Sequence, residues 1–162
     1  MAKSNGKKEV IEKIRKWLDE ESIEFTPVDY PFAEFNVDTK NPNQTIRIPK
    51  NKPDSIEFLT IANLSNEDQK AYVALKNKEE KIRILFDLQR SLLELNVGYK
   101  IEKDLENLES IIITKIICFD GLSKDRFMDS RFALLRGFSL VQLMLQQLRG
   151  KYYSNSNTEF ML

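Results

Sequence analysis

The chain has 162 residues, of which 41% are hydrophobic and 31% charged, and its 25 basic residues balance its 25 acidic ones. This composition is typical of a soluble globular protein, and the length can bury a full core without disulfides or metals. Balanced charge argues against a dedicated nucleic-acid binder, and the absence of histidine excludes Ser-His-Asp, Cys-His and His-ligated metal sites.

The sequence also bears on the compartment. Its one cysteine, Cys118, forms no intramolecular disulfide, which suits a reducing cytosol. The N-terminal stretch lacks the apolar segment of a signal peptide, and the longest apolar run, residues 111–119, is too short to span a bilayer. We therefore predict a cytoplasmic protein without membrane contact.

The first half of the chain predicts one helix and then strands. Residues 7–21 place Val10, Ile14 and Leu18 on one helical face, with Trp17 as a core anchor. The period then changes to two, and proline-containing breaks separate four runs typical of half-buried antiparallel strands. These predicted strands are residues 23–28, 32–38, 44–50 and 55–62.

The second half predicts two helices, two strands and a last helix. Ser65 with Asp68 resembles a capping box before a short helix, and Asn77 opens a second helix over residues 78–95. The predicted apolar ridge of this second helix is Ile82, Leu85, Gln89 and Leu92, and it is widened by Phe86, Leu88, Leu93 and Leu95. Strands follow over 99–103 and 109–119. The second strand is so rich in isoleucine that we expect cover on both faces and an inert, buried Cys118.

The element order is therefore α-ββββ-αα-ββ-α. Helices separated in this way from a mostly antiparallel sheet of about six strands define an α+β fold. We predict a single domain over residues 1–150, followed by a polar C-terminal tail over 151–162.

The last helix, over residues 127–148, is too apolar for a helix with one wet face. One arc would pack on the sheet: Phe127, Ala133, Leu134, Gly137, Phe138, Leu140, Val141, Met144, Leu145 and Leu148. The opposite side contains Arg131 and several glutamines, which we expect to face water. It also contains a second apolar stripe, formed by Met128, Phe132, Leu135 and Leu143.

Two explanations remain open for this stripe. It could be covered within its own chain, by the first helix or by the tail residues Phe160, Met161 and Leu162. Alternatively, it is an interface with a second copy or with a protein client, and an isologous dimer is the simplest such arrangement because one patch covers itself.

No catalytic, cofactor-binding or metal-binding residue emerges from the motifs. The chain has no Walker loop, no GxGxxG and no HExxH. Asp125 and Asp129 near the start of the last helix are interpreted as complements of the helix dipole. The competing hypothesis is a small-molecule or metal-dependent enzyme, with Asp120, Asp125 or Asp129 beside Arg126 or Lys124 in a sheet–helix pocket.

Four segments carry a resemblance over roughly residues 8–148: "IRKWLDEESIEF", "SIEFLTIANLS" and the helical stretch after it up to "NVGYKIEKD", and "ICFDGLSKDRF". The chain resembles an uncharacterised, largely archaeal domain-of-unknown-function family, similar in fold to class I type III secretion chaperones. The resemblance implies helices on an antiparallel sheet, frequent dimerisation, binding of extended protein segments and no catalytic residues.

The leading prediction is therefore a protein of unknown specific function that acts as a non-enzymatic interaction or chaperone-like module. We expect a homodimer that can also hold a protein client, and no cofactor.

Overall fold

The computed structural model describes residues 2–75 and 77–159, and the side chains of 6–75 and 77–155. Its elements are α1 (Ala2–Glu20), β1 (Phe25–Pro27), β2 (Ala33–Thr39), β3 (Gln44–Pro49), β4 (Ser55–Asn63), α2 (Asn66–Val73), α3 (Lys78–Glu94), β5 (Gly98–Lys103), β6 (Leu108–Cys118) and α4 (Lys124–Glu159). The strands form one six-stranded antiparallel sheet in the order β1-β2-β3-β4-β6-β5. The predicted α+β class and element order are confirmed.

The chain divides into two compact units, Met1–Thr60 with Thr114–Leu134, and Ile61–Ile113 with Leu135–Leu162. The division passes through β4, β6 and α4, so it does not coincide with residue 150. The single domain over residues 1–150 stays a prediction.

The core of the first unit is a row of side chains across three strands. Val37 pairs with Ile46, and Ile46 pairs with Phe58, so the three side chains lie on the same face of the sheet, and all are fully buried. Phe127 of α4 packs on this row, with its ring centroid 5.2 Å from that of Phe58 and 5.4 Å from that of Trp17 in α1. Trp17 therefore contacts the core as the sequence predicts, although its own side chain is only half-buried.

The other face of the same strands is polar. Asn36 pairs with Arg47, and Arg47 pairs with Glu57, so these residues alternate with the core row. The Arg47 guanidinium donates to the Glu57 carboxylate, with 2.5 Å between Nε and Oε2. Alternation of this kind is what positions charged side chains opposite the buried face of a sheet.

In the second unit, both predicted helix caps are present. Ser65 and Asp68 form a reciprocal capping box, and the Asn77 side chain accepts a hydrogen bond from the Glu80 backbone N–H at 2.7 Å. On the buried side of α2, Tyr72 is fully buried and its hydroxyl donates a hydrogen bond to the Leu105 carbonyl at 2.6 Å.

The predicted ridge of α3 is partly wrong. Leu85, Leu88 and Leu92 are buried, whereas the large side chains Ile82, Phe86 and Leu93 are exposed. The three buried leucines are spaced i, i+3, i+7 and define the face of α3 that packs on the core. Ile82 lies beside this face, so the predicted ridge is rotated about the helix axis relative to the observed one.

The predicted double cover of β6 is also wrong. Ile111, Ile113 and Ile117 are buried, but the alternating residues include the exposed Ile116 and Cys118. Cys118 is therefore an exposed thiol rather than a buried one. An isoleucine run does not distinguish a strand covered on both faces from one covered on a single face, because both satisfy β propensity.

The last helix is longer than predicted. Residues 151–159 continue α4 where the sequence predicts the start of a polar tail. Gly150 does not end the helix, because no proline follows and its backbone carbonyl accepts a hydrogen bond from the Ser154 hydroxyl inside the helix. Within this extension, Lys151 forms an ion pair with Glu80.

Candidate interaction surface

The inner face of α4 is the arc that the sequence predicts. Ala133, Phe138, Leu140 and Met144 are half-buried, and the remaining six residues of the arc are buried. Gly137 lies on this face because it must be small: a Cβ there would lie 3.1 Å from Ile113 Cγ2 and 3.2 Å from Leu92 Cδ2. The helix therefore makes a close approach in the second unit.

The outer stripe, defined as Met128, Phe132, Leu135 and Leu143, lies on the opposite side of α4. At about 100° per residue, the four side chains occupy one narrow sector of the helix. Phe132 is 52% exposed, Leu143 54% and Leu135 37%, while Met128 is half-buried. The first helix belongs to the same unit as Phe132 and leaves more than half of that side chain exposed. The other predicted cover, Phe160, Met161 and Leu162, lies outside the described residues.

Two opposite charges flank the outer stripe. Asp129 and Arg136 are exposed, lie seven residues apart on one side of Phe132, and are separated by about 10.5 Å along the helix axis. Within the described part of the chain, neither forms an ion pair within 4 Å. This spacing is too long for the two side chains to pair along one helix, where neighbours are three or four residues apart.

Arg131, predicted to face water, is instead buried. Its Nε donates to Gln44 Oε1 at 2.9 Å, and the Gln44 amide donates back to the Arg131 carbonyl at 2.9 Å. A longer contact of 3.4 Å joins its Nη2 to the Thr39 hydroxyl. Burial lowers the pKa of Arg131. The sequence gives no local signal of this burial, because Gln44 is 87 positions away.

The charged residues at the start of α4 hold the helix in place. Arg126 donates from Nη1 to the Asp120 carbonyl at 2.9 Å, and its backbone N–H donates to the Ser123 hydroxyl at 3.2 Å. Lys124 forms ion pairs with Glu21 at 2.6 Å and with Glu20 at 2.9 Å, and these hydrogen bonds raise the pKa of Lys124.

Lys115 of β6 lies within electrostatic range of this end of α4. Burial, and then the charge of Arg126, lower the pKa of Lys115, whereas the charge of Asp129 raises it.

The competing hypothesis requires carboxylates that come together in a pocket. Among the described residues, no group of three or more His, Cys, Asp or Glu side chains could hold a metal ion. Asp120, Asp125 and Asp129 do not converge in this way. A search of the same residues for membrane spans finds no helix with the length and apolarity to cross a bilayer.

Comparison with solved structures gives a related archaeal protein. The crystal structure of an uncharacterized protein from Methanothermobacter thermautotrophicus matches with a TM-score of 0.76 and 30% identity, over 84% of this chain and 96% of that one. YbjN from E. coli matches with a TM-score of 0.47 and 12% identity, over 87% of this chain and 92% of that one. Among curated proteins, none matches the sequence.

A family model described as uncharacterized conserved protein (DUF2299) matches residues 10–145. With the archaeal structure, this match confirms the prediction of an uncharacterised family, while the likeness to secretion chaperones stays a prediction. Because the match covers most of the sequence, the chain belongs to the family of uncharacterized conserved proteins DUF2299.

Proposed function

We propose that the chain is a non-enzymatic protein-interaction module that forms a homodimer through the outer stripe of α4. The observation that carries this proposal is the exposure of Phe132 and Leu143, each by more than half, on the face opposite the core. Burying a large apolar side chain is worth about 1.5–3 kcal/mol, so a partner that covers both gains substantially.

Charge complementarity favours a second copy as that partner. When two α4 helices cross antiparallel about a two-fold axis near Phe132, Asp129 of each copy lies level with Arg136 of the other, because the two positions are nearly equidistant from Phe132. The same arrangement packs Phe132 against Phe132 of the second copy and brings Met128 beside Leu135. Each contact thus occurs twice, once on each side of the two-fold axis, as an isologous interface requires.

The exposed stripe of α3 lacks this feature. Ile82, Phe86 and Leu93 are also exposed. The same helix, however, contains two oppositely charged pairs at i, i+4 spacing, Arg83 with Asp87 and Arg90 with Glu94. Oppositely charged side chains at that spacing are neighbours on one helix and can stabilise it without a partner. We therefore assign the dimer contact to α4 and use α3 as the control surface.

The non-enzymatic part of the proposal has its own support. The chain contains no histidine, and the charged residues at the start of α4 are engaged in ion pairs and hydrogen bonds that position the helix. The resemblance to secretion chaperones supports a module that holds a polypeptide, with a client as a further partner. The single free thiol of Cys118 suits a reducing compartment, and we propose a cytoplasmic location.

The test is the solution mass by light scattering of the wild type, Phe132→Asp and the matched control Phe86→Asp. We expect a dimeric wild type, a folded and monomeric Phe132→Asp, and a dimeric Phe86→Asp. A wild type that remains monomeric at high concentration contradicts the dimer. A Phe132→Asp variant that loses its circular dichroism signal would place the side chain in a core instead.

A further inference from the structure

The first unit contains a cavity of about 340 Å³ on the face of the sheet opposite the core. Antiparallel pairing of β2 with β3 brings together the segments that precede β2 and follow β3, and the Lys50 N–H donates to the Phe32 carbonyl at 2.9 Å there. The side chains that matter for its chemistry are Tyr30, Phe32, Arg47, Lys50, Lys52 and Glu57.

The cavity has an excess of positive charge. Glu57 neutralises Arg47 through their 2.5 Å contact. Lys50 donates from Nζ to the Pro31 carbonyl at 2.6 Å, which is a neutral acceptor and leaves the ammonium charge uncompensated. Lys52 forms no ion pair within the described ranges of the chain. Beside the Arg47–Glu57 ion pair, two ammonium groups that pair with no carboxylate of the described residues therefore line the cavity.

An aromatic wall lies beside these charges. The Arg47 guanidinium lies 5.1 Å from the centre of the Tyr30 ring, and Tyr30 meets Phe32 edge to face at 5.7 Å between ring centroids. Tyr30 is thus fixed between two neighbours. Phe32 is 70% exposed, which leaves most of its ring surface available for stacking by a flat ligand.

We propose that this cavity binds a small molecule in which a flat ring system is joined to a phosphate group, of the size of a nucleoside monophosphate. A phosphate monoester carries about −1.5 to −2 charges at neutral pH, which matches the two uncompensated ammonium groups. The ring stacks on Phe32, and the volume falls in the range of about 300–1,000 Å³ found for small-molecule sites. The site involves no residue of α4 and goes beyond the proposed dimer.

The experiment is calorimetric titration of the full-length protein with adenosine 5′-monophosphate at low salt, beside separate titrations with adenosine and with inorganic phosphate. We expect saturable binding of the nucleotide and at least about tenfold weaker binding of either half alone, since the ring and the phosphate contact different groups. The Phe132→Asp variant is expected to bind with unchanged affinity, which separates this result from that of the dimer test.

Matched variants test the site itself. Phe32→Ala removes the stacking surface and Lys52→Gln removes one ammonium group, and each is expected to weaken binding at least about fivefold. The controls are Phe86→Ala, an exposed phenylalanine elsewhere, and Lys100→Gln, an exposed lysine on β5; both are expected to change nothing. Three outcomes overturn the proposal: no saturable binding below about 1 mM, equal loss in the controls, or inorganic phosphate that binds as tightly as the nucleotide.

Discussion

The inner and outer faces of α4 contain similar side chains in different surroundings. Phe127 is fully buried between Phe58 and Trp17, whereas Phe132, little more than one turn later, is half exposed. Both residues are equally apolar, so hydrophobicity alone does not assign them to folding or to association. The difference lies in what surrounds them: the first meets aromatic rings of its own unit, and the second lies beside Asp129 and Arg136, which form no ion pair within 4 Å among the described residues.

The largest expected effect separates the two faces by stability. Phe127→Ala should lower the free energy of unfolding by about 3–5 kcal/mol, because it empties a core site, and the loss should not depend on protein concentration. Phe132→Ala should show a smaller loss that disappears on dilution, because it acts through association. Urea denaturation at two protein concentrations measures both. The comparison fails if Phe132→Ala lowers the free energy of unfolding as much as Phe127→Ala does and at every protein concentration.

The next effect tests the charges beside the outer stripe. Asp129→Arg and Arg136→Asp each replace two attractive contacts of the dimer by two repulsive ones, and each should weaken dimerisation by about tenfold. The double variant restores opposite charges and should recover most of the affinity. Sedimentation equilibrium measures the four dissociation constants, those of the wild type, the two single variants and the double variant. If the losses in the single variants simply add in the double variant, the antiparallel arrangement about Phe132 is wrong.

A pair of glycines sharpens the comparison along the same helix. Gly137→Ala should destabilise the protein by about 1–2 kcal/mol, because its Cβ meets Ile113 and Leu92 closely and this overpacking exceeds the gain in helix propensity. Gly150→Ala should stabilise it by about 0.5–1 kcal/mol, because alanine favours the helix and, among the described residues, no atom outside the helix's own backbone and the adjacent residues lies within 4 Å of the added Cβ. Thermal unfolding of the two variants shows whether their shifts have opposite signs.

The smallest expected effect lies at the end of the outer stripe. Leu143 is as exposed as Phe132 but lies about 16 Å from it along the helix axis, outside the centre of the proposed contact. Leu143→Asp should therefore weaken dimerisation by only about threefold, as expected for the rim of an interface. An effect equal to that of Phe132→Asp, measured by light scattering over a dilution series, would move the centre of the contact toward Leu143.

The fold could be predicted from the sequence because its signals are local. Prolines separate the strands, Ser65 and Asn77 cap their helices, and the inner face of α4 follows the helical period. Whether a face is covered is not a local property. For this reason the sequence could identify the outer stripe but could not decide whether its own chain covers it, and it predicted that Cys118 is buried when it is exposed.

Two features of the sites needed tertiary structure. Arg131 was assigned to water because of its charge, and only the approach of Gln44 and Thr39 explains its burial. The cavity of the first unit was also missed, although a signal exists: aromatic residues just before β2 and lysines just after β3 must meet if these strands pair as a hairpin. Sequence reasoning can find such a pair by examining both ends of each predicted hairpin together.

The contact between Gln44 and Arg131 has a consequence for biosynthesis. During translation, β3 leaves the ribosome well before Arg131 is synthesised. In the interval the Gln44 amide lacks the Arg131 carbonyl to which it donates in the complete fold. Chains grow at about 5–20 residues per second, so this interval lasts several seconds. A nascent chain stalled before α4 should therefore be a substrate for cellular chaperones and proteases, and completion of the last helix should end that vulnerability.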